Sequence, residues 1–139
     1  MRLVQWIVIG VSSGGMGGGL VGIFLYGGYG EVFIAWGVFG SITGIIGGLF
    51  IGAVIGIIAN IARIHRMIGG SIIGLLSGAF GALLIGGINE AGISKDGSQA
   101  AIERAVRLWK IGTIMAAVIG LVVGLIILIK LDKGKRELQ

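Results

Sequence analysis

Four stretches of this chain, about 3–25, 33–61, 67–88 and 111–131, each run for 21 residues or more with no ionisable side chain except Lys130 near the end of the last. Nothing else in the sequence limits the fold so strongly. A soluble domain must place charge between its core segments, whereas a helix crossing a hydrocarbon layer of about 30 Å needs roughly 20 apolar residues at 1.5 Å each. Each stretch is therefore expected to span a bilayer. The second, at 29 residues, is longer than needed and is expected to tilt or to begin among the headgroups, with Tyr26, Tyr29, Phe33 and Trp36 as an aromatic belt. With 55% hydrophobic and 12% charged residues and a mean hydropathy of +1.06, the remainder cannot supply a soluble surface.

The second constraint is glycine, 30 residues of the 139. In a water-exposed helix each costs about 1 kcal/mol relative to alanine. Here small residues recur at every fourth position in all four stretches. The series are Gly10, Gly14, Gly18, Gly22; then Gly40, Gly44, Gly48, Gly52, Gly56; then Gly70, Gly74, Gly78, Ala82, Gly86; and Gly112, Ala116, Gly120, Gly124. Residues four apart share a helix face, so each series makes a groove without side chains along which a second backbone can approach. The expected fold is all-α, an integral membrane four-helix bundle with glycine-zipper (GxxxG) packing, and residues 1–139 form a single transmembrane domain. Ser12 and Ser13, ahead of the dense glycines Gly14 to Gly19, mark a place where the first helix is expected to bend or unwind. The second and third spans match at Gly40-Ser41 and Gly70-Ser71, at Phe50 and Phe80, and at Ile55-Gly56 and Ile85-Gly86, a pattern that an inverted repeat would produce.

Between the third and fourth spans lies a polar stretch, 89–110, with a turn-like Ser94-Lys95-Asp96-Gly97. Its second half is expected to be a short amphipathic helix lying in the interface. Ile102, Ala105, Val106 and Trp109 share one face and Glu103, Arg104, Arg107 and Lys110 the other.

Orientation is read from lysine and arginine. Arg2, Arg63, Arg66, Lys130, Lys133, Lys135 and Arg136 fall on one side, whereas Lys95, Arg104, Arg107 and Lys110 on the other are offset by Glu31, Glu90, Asp96 and Glu103. Both termini are thus expected in the cytoplasm, in a bacterial inner membrane or an equivalent energy-transducing membrane. The basic tail, 132–139, can also attract anionic lipid. Nucleic acid is not an expected partner, because no folded basic surface with interleaved aromatics accompanies the tail.

Chemistry is hard to place in this chain. Without cysteine there is no thiol catalysis, and the single histidine, His65, sits in a basic loop without the carboxylate or thiolate company a metal site needs. Ionisable groups deep in the spans, the usual mark of ion-coupled transport or intramembrane catalysis, are missing. The expectation is no enzyme activity, no metal and no cofactor. Ser12, Ser13 and Asn60 are the candidates for a polar pathway, through hydroxyl and amide groups within the spans.

The GxxxG runs resemble those of rotary ATPase membrane-ring subunits, which imply a membrane-embedded carboxylate that this sequence lacks. Ala35-Trp36-Gly37, and the basic loop leading into Gly69-Gly70-Ser71-Ile72-Ile73-Gly74, are similar to the four-span translocase subunits of the mitochondrial inner membrane. In those subunits an acidic residue stands where Arg66 or Met67 stands here. The expected role is a non-catalytic structural or accessory membrane subunit that homo-oligomerises, or docks in a larger complex, through glycine-lined faces. The alternative is a small channel, carrier or protein-translocase component.

Overall fold

The computed structural model describes residues 1–26, 32–94 and 97–138. Four helices account for almost all of them: α1 (Leu3–Val21), continued by a π-helical turn at Gly22–Tyr26, α2 (Val32–Ile61), α3 (Arg66–Ser94) and α4 (Gln99–Glu137). All four are long and apolar enough to cross a membrane. Tyr29, Glu31, Lys95 and Asp96 lie outside the described residues, and with them much of the expected aromatic belt and outer turn.

The helix ends are set locally. At the start of α1 the Gln5 side chain accepts from the Arg2 backbone N–H at 3.2 Å, and the Ser98 hydroxyl caps α4 by accepting from Ala101 N–H at 3.4 Å. α2 closes in a Schellman arrangement: Ile64 N–H donates to the Ala59 carbonyl at 2.9 Å, Arg63 takes the left-handed conformation at φ 51°, and Ile64 packs against the cluster that holds Ala59. Left-handed backbone costs a residue with a Cβ about 1 kcal/mol or more, so glycine is the usual occupant.

Two sequence expectations are corrected here. Ser12-Ser13-Gly14 does not unwind, and α1 is regular through Val21. In an apolar medium the backbone groups of a broken turn would lack partners, and this penalty outweighs glycine's freedom. Nor is there a separate interfacial helix. Residues 99–110 are the first three turns of the 39-residue α4, and α3 runs on to Ser94 beside them. With no proline in the chain and no break between Lys110 and Ile111, the helix runs unbroken from the polar segment into the span.

The connections are short, so the helices alternate in direction. α1 packs chiefly on α2 and α3 on α4, while the parallel pair α1 and α3 also touch across the bundle. Half of the span residues of α1 and of α3 are buried, against a third in α2 and under a quarter in α4. α1 and α3 are thus the inner pair, and α2 and α4 flank them. At about 1.5 Å per residue α4 is close to 58 Å long, far more than the hydrocarbon thickness, so it projects past the span.

Apart from Ala105, the buried apolar side chains gather in two small clusters. Trp6, Ile9, Ala59, Ile73 and Leu128 fill the end where the chain begins, and Val21, Ala82, Ile85 and Ala116 fill the opposite half. Between the clusters the helices meet through their backbones.

Candidate functional site

The glycine faces are best described by what a Cβ would meet. On Gly10, Gly14 and Gly18 it would fall on the carbonyl oxygens of Gly48, Gly44 and Gly40, and the reverse holds for each partner. Gly22 stands in the same relation to the Trp36 carbonyl, and a Cβ on Gly52 would come within 2.8 Å of the Trp6 carbonyl oxygen. α3 and α4 meet the same way, Gly74 against Gly120 and Gly78 against the Ala116 carbonyl, with Leu128 filling the space above Gly70. A Cβ on Gly124 would be 3.1 Å from the Gly70 carbonyl oxygen; Gly112 is buried in α4. The direction of a missing Cβ is that of a Cα–H bond. Each reciprocal pair therefore aims Cα–H groups at facing carbonyls, the geometry of weak Cα–H···O hydrogen bonds.

Large side chains take over at the ends. The Trp6 ring covers two glycines, where a Cβ on Gly56 would be 2.7 Å from Trp6 Cβ and one on Gly69 would be 2.6 Å from Trp6 Cη2. Its Nε1 donates to Asn60 Oδ1 at 3.2 Å. At the other end Trp109 covers Gly86, and its Nε1 is buried without a partner among the described residues.

A second register was missed by counting in fours along one face. Gly17 and Gly81 join the two hairpins: a Cβ on Gly17 would lie 2.9 Å from Gly78 Cα, and one on Gly81 would lie 3.0 Å from Gly44 Cα and 3.2 Å from Gly18 Cα. One helical turn before each stands a serine, Ser13 and Ser77, fully buried and without a hydrogen-bond partner among the described residues. The signal available in the sequence was the doubling of glycine, Gly17-Gly18 and Gly78 with Gly81, which gives one helix two small faces.

The three residues proposed for a polar pathway are not brought together. Ser13 faces the interior, Ser12 lines an open groove on the outer side of α1 and α2, and Asn60 is an exposed residue near the end of α2 holding Trp6. The groove, about 490 Å³, is walled by Ser12, Gly15, Met16, Gly19, Ser41 and Ile45 among others. Thr43, Ser71 and Thr113 instead return their hydroxyls to carbonyls of their own helix, at 3.0, 2.7 and 2.9 Å. Among the described residues no three His, Asp or Glu side chains lie together as metal ligands.

The up-down order gathers charge at one end. Arg66 Nη1 meets Asp132 Oδ1 at 3.5 Å with both side chains about half exposed, so the start of α3 and the last turns of α4 lie side by side. Arg2, Arg63, His65, Lys130 and Lys133 are exposed at the same end.

Comparison of the chain with protein-family models, with curated proteins and with solved structures gives no match.

Proposed function

We propose that the protein is a non-catalytic structural or accessory membrane subunit that self-associates through the outer face of its α1–α2 hairpin. The bundle itself is built as a glycine zipper, and most of the bare faces are used up inside it. A small-residue surface remains among the described residues, the groove of Ser12, Gly15, Gly19 and Ser41, and this observation carries the reading.

Its two hydroxyls make no hydrogen bond among the described residues. A hydroxyl facing acyl chains has only a carbonyl of its own helix to bond, as Thr43, Ser71 and Thr113 do, whereas one facing a serine of a second copy can donate and accept across the contact. Such a face is self-complementary, as a two-fold contact requires. The backbone seams support the structural reading over a channel or carrier, since they leave no space for solute between α1 and α2 or between α3 and α4. Seven cationic side chains against Asp132 and Glu137 at one end support a cytoplasmic reading of both termini under the positive-inside rule. The test is the oligomeric state of the purified protein in mild detergent, by light scattering. A discrete oligomer supports the proposal, and a monomer at every protein-to-detergent ratio overturns it.

A further inference from the structure

The positive-inside rule accounts for basic residues at one end of a membrane protein but is indifferent to their arrangement. Here the arrangement carries information. In a chain with 30 glycines, the left-handed position of the α2–α3 turn, where glycine fits without strain, is occupied by Arg63. The turn holds its side chain exposed, three residues before Arg66. The Arg66–Asp132 contact then brings α4 alongside, with Lys130 and Lys133 within about 3 Å of Asp132 along the helix axis. Two described carboxylates stand among these cations, Asp132, which engages Arg66 at 3.5 Å, and Glu137, one helical turn beyond Lys133 on α4. The later residues Lys135 and Arg136 lie on the part of α4 that projects beyond this rim.

We propose that Arg63, Arg66, Lys130 and Lys133 form a binding site for the phosphodiester headgroups of anionic phospholipids. The ligand chemistry is a singly charged phosphate diester held at the membrane surface. Guanidinium groups on the short turn supply planar paired donors, while the lysines supply point charges on stems that lie along the apolar helix surface. The inference stands apart from the proposed self-association, because the rim and the α1–α2 groove share no residue.

Native mass spectrometry of the whole protein in detergent tests it, with phosphatidylglycerol, phosphatidylcholine and inorganic phosphate offered separately. Retention of phosphatidylglycerol well above phosphatidylcholine is expected, with about fivefold weaker retention for Arg63→Gly and for Lys133→Gln. Arg63→Gly relieves the backbone, so its loss of lipid cannot be blamed on misfolding. Asp132→Asn frees Arg66 and should tighten binding severalfold. Equal retention of the two lipids overturns the proposal, as does a loss in Lys135→Gln/Arg136→Gln as large as in the rim variants. Displacement of phosphatidylglycerol by millimolar inorganic phosphate would show a soluble-anion site and overturn the lipid assignment.

Discussion

Trp6 on the first turns of α1 donates its indole N–H to Asn60 near the end of α2, at 3.2 Å, with its ring laid over Gly56 and Gly69. One side chain thus joins three helices at the basic end. Polar contacts between membrane helices contribute about 1 kcal/mol, and deleting a large aromatic costs about 3 kcal/mol or more. Asn60→Leu should lower stability by about 1 kcal/mol and Trp6→Ala by about three times as much. Reversible unfolding in mixed detergent micelles measures both, and equal costs would mean that the ring's packing is unimportant.

The glycine seams predict a sharper contrast. A methyl group on Gly48 or Gly78 would strike a backbone carbonyl, which no rotamer change relieves. Gly48→Ala and Gly78→Ala should each cost about 2 kcal/mol or more by forcing helices apart, as overpacking does. Gly134 has nothing within 4 Å, and there Gly→Ala should stabilise α4 by about 0.5 kcal/mol. The same unfolding assay decides. Tolerance of Gly48→Ala equal to that of Gly134→Ala would remove the backbone-contact account, whereas Leu125→Ile should be tolerated.

How far this architecture could be read from sequence depends on the link in question. Helix number and approximate extent follow from hydropathy, because the hydrocarbon layer admits nothing else of that length. Which glycines meet which was not legible: a period of four defines a face but not its neighbour, and Gly17 and Gly81 were passed over because they stand outside the regular series. The apolar stripe Ile102, Ala105, Val106 and Trp109 was visible, but not what covers it. An interface and a neighbouring helix exert the same demand on a sequence, and Ala105 and Trp109 turn out to be packed within the protein, Trp109 over Gly86 of α3. Arg63 carried no signal at all, since its left-handed backbone appears only once the turn is built.

Ser13 and Ser77 lead to an unusual expectation for polar-to-apolar substitution. Both hydroxyls are fully buried and unpartnered among the described residues, and an unsatisfied buried group costs about 1–3 kcal/mol. Ser13→Ala and Ser77→Ala should therefore be neutral or stabilising by up to about 1 kcal/mol. A loss of stability in both would show that the hydroxyls serve a partner, such as a buried water, and that the middle of the bundle is wet.

The groove on α1 and α2 separates self-association from folding, because its residues lie off the backbone seams. A Cβ on Gly15 would be 3.0 Å from Ile45 Cγ1, a side-chain atom at the groove wall that must give by a few tenths of an ångström, rather than from a carbonyl. Gly15→Leu can therefore be built with a small movement of Ile45, filling the groove while leaving the Gly14–Gly44 contact untouched. Helix content and unfolding should stay close to the parent, while the oligomer measured by light scattering shifts to monomer. Ser12→Ala/Ser41→Ala should weaken association by about 1 kcal/mol, roughly fivefold, if hydroxyls bridge the copies. An oligomer that survives Gly15→Leu would place the contact elsewhere, the exposed outer face of α4 being the next surface to test.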